Sequence, residues 1–250
     1  MRRLDMQAYM KDIILAVVFF IYPFVLLVAS KLLDRTGVRK DLSRKLVHVG
    51  MGLVILFIPF FDHKWIALVP PIIFTVINAI DYKWGIFSQI QGEDKGNVGT
   101  ILYPISYIVL ISIFYGTAWW GLAVLGIFAM AFGDAGASIV GREFGKLKYY
   151  IAGETRSYAG SFAMLILTFA VAVIVFYFYG ANMGMVVRFR TILAASFFVA
   201  GASTVVEALS IKGTDNITVP LLTAFIAWFL LAVLMPSIFG NQEIVNQPLY

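Results

Sequence analysis

The stretch AVLGIFAMAFGDAGASIVG, residues 123–141, decides how this chain is built. It is long and apolar enough to cross a bilayer as a helix, yet it carries Asp134 near its end. A carboxylate inside a membrane segment costs roughly 2.5–3.5 kcal/mol on insertion scales. It is therefore either paired with a lysine near the interface, or it faces a cavity, an ion or a substrate. Gly133, Gly136 and Gly141 surround it. Small residues let helices approach closely, and the same glycines can let a backbone approach an anion.

Outward from this stretch the composition agrees. Of the 250 residues, 61% are hydrophobic and only 13% are charged, with a mean hydropathy of +0.89. Soluble domains are roughly 45–50% apolar. The chain reads as an all-α polytopic integral membrane protein. Apolar runs at about 12–33, 46–61, 65–81, 100–116, 118–140, 160–180, 191–209 and 217–238 predict eight transmembrane helices, with seven to nine compatible with the pattern. Pro70-Pro71 is expected to break the third. The GTAWW turn makes the fourth and fifth a tight hairpin. The first run is followed by RTGVRKDLSRK and not by a small-residue cleavage site, so it is expected to stay. Residues 1–250 form one membrane domain without repeats, ending in a polar tail at 241–250.

The chain has no cysteine, which removes disulfide, thiolate and cysteine-based metal chemistry. His48 and His63 are its two histidines, too few for a histidine-rich zinc site. With the loop after the first helix in the cytoplasm, thirteen Lys and Arg residues fall on that side and six on the other. This bias sets both termini outside. The same parity brings RKLVH (44–48), GDAGAS (133–138), GREFGK (141–146), GETRSYAGS (153–161) and EALSIKGTDN (207–216) to one face.

These segments carry a chemistry. Glu207 and Asp215 flank a glycine-containing turn before the last helix. Asp215 or Asn216 can simply cap that helix, but Glu207 is not needed for a cap. Three carboxylates on one face, Asp134, Glu207 and Asp215, suit Mg²⁺, which is held by one or two carboxylates plus substrate phosphates. Lys45, Arg142, Lys146 and Arg156, with Ser157, Gly160, Ser161 and Asn216, suit phosphate. Basic cytoplasmic loops are also expected from topology and from attraction to anionic headgroups. That plainer reading is taken for Arg35, Arg39, Lys40 and Lys148. GREFGK is one residue short of a P-loop and lacks its Ser/Thr. His48 shares a helix face with Arg44 and is either a structural hydrogen-bonder or a proton acceptor. His63 is expected to be solvated in an outer turn, and Thr100 to cap the fourth helix.

Taken in order, RKLVHVGMG, GTILYP, GDAGASIVGREFGK, RSYAGSFA and EALSIKGTDNITVPLL resemble the CTP-dependent lipid-alcohol kinases, which include dolichol, phytol and yeast-type diacylglycerol kinases. The resemblance spans residues 44–222. It implies transfer of the γ-phosphate of CTP to the hydroxyl of a long-chain lipid alcohol, with a divalent metal. Asp134 matches the family's Gly-Asp aspartate. Gly141, Arg142, Gly145 and Lys146 match its glycine-basic stretch. Ser157, Gly160 and Ser161 match its K-S-x-x-G-S motif, and Asp215, Asn216 and Pro220 its DN-P motif. Arg156 departs from the expected lysine.

On this reading Asp134, Asp215 and His48 are catalytic, and Asp134, Glu207 and Asp215 hold the metal. The partners are CTP and the lipid alcohol, with no nucleic acid. The expected location is the plasma membrane of a prokaryote or the endoplasmic reticulum of a eukaryote, with the loops facing the cytoplasm. Distant similarity to CDP-lipid synthases makes a cytidylyltransferase the alternative. Intramembrane acids also occur in ion-coupled transporters, although the polar residues here crowd one face and not the midplane.

Overall fold

The structure is a computed structural model and describes residues 2–85, 98–183 and 188–234, with the side chains of 5–85, 98–183 and 188–232. Lys95, the tail at 241–250 and the last turn expected at 235–238 lie outside these. Eight helices and one hairpin make up the described chain: α1 (Arg2–Arg35), α2 (Lys40–Phe60), α3 (Lys64–Trp84), α4 (Gly99–Phe114), α5 (Trp120–Phe144), β1 (Lys148–Ile151), β2 (Glu154–Ser157), α6 (Tyr158–Tyr179), α7 (Phe189–Leu209) and α8 (Asp215–Phe229, continued by a π turn over Leu230–Leu234). Seven of the helices are long and apolar enough to cross a membrane, and α4 is a shorter apolar helix. The all-α membrane class and the eight-helix pattern therefore hold.

The core forms around α5. Two thirds of its apolar window is buried, against a fifth or less of that of α1. The residues of α5 are small or aliphatic on every side (Leu122, Ala123, Leu125, Ile127, Ala129, Met130) and are enclosed by neighbouring helices. In contrast, α1 shows Ile13, Val17, Ile21 and Val28 outward, as a lipid-facing helix does. Midway along α5 the ladder widens into a π turn, Ala129–Asp134. Such turns hold one residue more than an α-helix would and recur at functional sites.

Several expectations are corrected. Pro70 and Pro71 do not break α3, which runs unbroken from Lys64 to Trp84. In a membrane helix neighbouring groups can satisfy the carbonyls that prolines free. Helix α2 begins at Lys40, six residues earlier than the apolar run, so Arg44 and Lys45 lie a full turn inside it. Thr100 does not cap α4: Val98 occupies that position without a side-chain bond.

The β-hairpin stands where a long loop is expected. Lys148 pairs with Ser157, Tyr149 with Arg156, Tyr150 with Thr155 and Ile151 with Glu154. The two-residue connection has positive φ at both positions, 50° at Ala152 and 84° at Gly153. That is the twist an antiparallel hairpin prefers in so short a turn, and Gly153 supplies half of it without steric cost. The aromatic KYYI run supports the first strand.

Candidate active site

Seven elements meet at one end of the bundle around a cavity of about 430 Å³. Its walls are Lys45 of α2, residues of α5 from Asp134 to Arg142, Lys148 of β1, Thr155 to Ser157 of β2, Gly160 and Ser161 of α6, Glu207 of α7 and Asp215 of α8. The volume is that of a small-molecule pocket. The parity argument from the sequence is thus realised in space: residues up to 170 positions apart, from Lys45 to Asp215, share one chamber.

The chamber is charged inside an apolar bundle. Asp134, the last residue of the π turn, is buried and receives a hydrogen bond from Lys45 Nζ at 2.8 Å. The two readings of this aspartate hold together: it is paired with a lysine, and it lines a cavity. Glu207 is buried at the end of α7, and its Oε1 lies 2.9 Å from Arg156. The other guanidinium arm donates to the Ser210 carbonyl at 2.9 Å, capping the C-terminus of α7. Arg156 therefore ties the hairpin to that helix end while still facing the cavity. Its Nε is buried without a hydrogen-bond partner among the described residues.

Asp215 is the first residue of α8 and does not cap it; Thr214 precedes the helix without a side-chain bond. Its Oδ1 accepts from the Asn216 backbone at 2.9 Å and from Asn216 Nδ2 at 2.8 Å. Asn216 fixes the orientation of Asp215 and does not itself line the cavity. Ser157 caps α6, its Oγ accepting from Gly160 N at 3.1 Å, so the hydroxyl proton stays free to donate. The seam between α5 and α6 is closed to the van der Waals limit here: a Cβ on Gly160 would come within 2.8 Å of the Ala137 carbonyl oxygen. Ser161 Oγ bonds to the Tyr149 hydroxyl at 2.6 Å. Arg142 stands at the mouth, 2.9 Å from Asp41, in a network continued through Arg39 to Glu143.

Besides Asn216, two expected members stand apart. Lys146 is exposed and does not line the cavity, whereas Lys148, assigned above to the lipid headgroups, does. The strand boundary explains this: Lys148 opens β1 and pairs with Ser157 of the cavity wall, whereas Lys146 precedes the strand. His48 packs behind the chamber, its Nε2 3.1 Å from Met130 Sδ and its ring stacked on Tyr103 at 4.5 Å. His63 is not merely solvated: its Nδ1 and its backbone each lie 2.8 Å from buried Asp12, at the opposite end of α1 from the cavity.

The geometry also bears on a cation. Among the described residues no three carboxylate or imidazole groups lie close enough to cage a metal by themselves. Asp134 and Glu207 already face Lys45 and Arg156, and Asp215 has no salt bridge among the described residues. The donor set fits an ion held by one or two carboxylates and completed by substrate oxygens, the usual habit of Mg²⁺. It does not fit a stand-alone metal cage.

No family model and no solved structure matches the chain. Curated sequences do. The phytol kinase of Synechocystis sp. (strain ATCC 27184 / PCC 6803 / Kazusa) is 30% identical over 209 residues, covering 83% of this chain and 87% of that protein. The chloroplastic phytol kinase 1 of Arabidopsis thaliana is 30% identical over 212 residues, covering 80% and 69%. The probable phytol kinase 1 of Glycine max is 30% identical over 215 residues, covering 80% and 70%. With a chamber of this charge at a membrane face and relatives at this identity and coverage, the chain belongs to the phytol kinase family of lipid-alcohol kinases.

Proposed function

We propose that this protein transfers the γ-phosphate of CTP to the hydroxyl of a phytol-type, long-chain isoprenoid alcohol at the cytoplasmic face of its membrane. The observation that carries the reading is the chamber itself, where three carboxylates and four cationic side chains converge at one end of an apolar bundle. A soluble polyanion and a membrane alcohol can meet there. The names of the relatives supply the acceptor class. CTP as donor follows from the motif resemblance, and the cytoplasmic side from the lysine and arginine bias.

Phosphoryl transfer asks for positioning and charge neutralisation more than for covalent help from the protein. Lys148 and Arg142 would meet the phosphate chain, with the Ser157 hydroxyl as a further donor. Lys45 and Arg156 would hold Asp134 and Glu207 in place. The alcohol oxygen bonds to the γ-phosphorus, the bond from that phosphorus to the β-bridging oxygen breaks, and CDP leaves. The alcohol proton passes to Asp134, a buried carboxylate of the chamber, in preference to His48, which lies behind it. Mg²⁺ would be held by Asp215 and Asp134 and would offset negative charge on the phosphates.

The test is transfer by the purified protein in detergent, with CTP labelled separately at the α and γ phosphates and phytol, geranylgeraniol, dolichol and diacylglycerol as acceptors. γ-Label in a lipid phosphate of the isoprenoid alcohols is the expected result. α-Label in the lipid, with a phosphorylated acceptor, would make the protein a cytidylyltransferase. Equal use of ATP would overturn the donor, and preference for diacylglycerol would overturn the acceptor.

A further inference from the structure

The segment joining α5 to α6 is short and polar enough to be taken for a cytoplasmic loop, yet it exposes large apolar side chains. Phe144 is 69% exposed, Leu147 73%, Tyr150 75%, Tyr158 61% and Phe162 63%. They are not scattered. The Tyr158 backbone donates to the Leu147 carbonyl at 3.2 Å, which joins the start of α6 to the residue before β1. Tyr158 and Phe162 are one turn apart on α6. Phe144 ends α5, two residues before exposed Lys146. Below them on α6, Ile166 and Ile174 continue the exposed apolar surface into the membrane span.

We propose that this hairpin segment is an interfacial membrane-binding surface, seated at the boundary of lipid headgroups and acyl chains, and that it holds the hairpin wall of the chamber at that depth. Three features fit a bilayer as the occupant. The patch is continuous with the lipid-facing surface of α6. Its composition, two tyrosines, two phenylalanines and a leucine bordered by lysine, is the aromatic-rich kind found at membrane interfaces. Exposed Lys146 adds attraction to anionic headgroups. Contiguous apolar surface of this kind is rarely left facing water. The hairpin then has two environments: Lys148, Thr155, Arg156 and Ser157 border the chamber, while Leu147, before the strand, and Tyr150, on the face of Lys148 but nearer the turn, sit among lipids. An alcohol hydroxyl at headgroup level would meet the chamber without leaving the membrane; this consequence rests on the function proposed above, but the placement of the hairpin does not.

The absence of cysteine makes the test direct. Single-cysteine variants Leu147→Cys and Tyr150→Cys carry a nitroxide, and the protein is reconstituted in vesicles of phosphatidylcholine with phosphatidylglycerol. Collision with oxygen and with a water-soluble nickel chelate reports depth. Thr36→Cys in the exposed α1–α2 turn is the aqueous reference, and Ile174→Cys on the outer face of α6 is the lipid reference. The expected oxygen-to-nickel ratio at both hairpin sites is several-fold above that of Thr36→Cys and below that of Ile174→Cys. Ratios equal to the aqueous reference would overturn the proposal. Low collision with both reagents, accompanied by spin–spin broadening, would overturn it in favour of contact between two copies of the chain. Neither result depends on catalysis. Leu147→Asp should then raise KM for an alcohol presented in vesicles while leaving the KM for CTP unchanged.

Discussion

The bundle buries a carboxylate at each end, and the two are treated differently. Asp12 near the start of α1 is fully enclosed, and its two oxygens take hydrogen bonds from the Asp62 and His63 backbones and from the His63 ring, each 2.8 Å long. Asp134 has one strong partner, Lys45, and shares a cavity with Glu207 and Asp215. A buried charge whose donors are complete is a fastening, and it pins α1 to the turn between α2 and α3. One whose donors are incomplete, beside other unsatisfied polar atoms, is poised for a ligand that supplies the rest. Burial of charge alone would not have separated the two ends; the count of donors does.

Asp134 is where the two ends should differ most. Asp134→Asn keeps the shape and removes the charge, and γ-label transfer should fall by at least about 10²–10³-fold, the scale of losing one electrostatic contact to a transition state. The variant should keep its thermal midpoint in detergent within a few degrees. Asp12→Asn should do the reverse. Replacing charge-assisted hydrogen bonds by neutral ones should cost about 2 kcal/mol of stability, read as a lowered midpoint, with turnover per folded molecule intact. Should Asp12→Asn abolish turnover without loss of stability, the division between fastening and reactive site would fail.

Smaller effects sharpen the picture within the chamber. Lys148→Ala should raise the KM for CTP about tenfold, ~1.4 kcal/mol, whereas Lys146→Ala should leave it nearly unchanged; the reverse ranking in steady-state kinetics would reassign the phosphate contact. Arg156→Lys keeps a cation beside Glu207 but cannot hold Ser210 at the same time. The expected loss is about 1 kcal/mol of stability, with a modest rise in KM, both recovered on reversion.

Much of this was legible from residue order. The apolar runs set the helices, and their even number brought the polar segments to one face before any distance was known. Asp134 stood out because an acid in an apolar helix demands an explanation. The pairing of Asp134 with Lys45 was not legible, since the two lie 89 positions apart and nothing local couples them. The hairpin left a faint trace: KYYI, a two-residue turn ending in glycine, and a second short run. A segment flanked by membrane helices reads as loop by default, so the motif favours Lys146, and the strand that begins at Lys148 has no clear signal. Pro70 and Pro71 misled because rules for soluble helices overstate what proline does in a membrane. His63 was misjudged because its partner, Asp12, comes from a helix 51 positions earlier.

The π turn of α5 acts as a shift of reading frame. A stretch holding one surplus residue offsets everything after it by about 100° around the axis, the angular step of one residue in a 3.6-residue turn. Residues 120–128 and 135–144 thus belong to two rotational registers of a single rod, with Asp134 at the junction. Deleting one residue between 129 and 133 would heal the rod. The outer half of the bundle would keep its packing, while the aspartate and all that follows would turn away from Lys45. An insertion, ordinarily a defect in a helix, is here the device that aims Asp134 into the cavity.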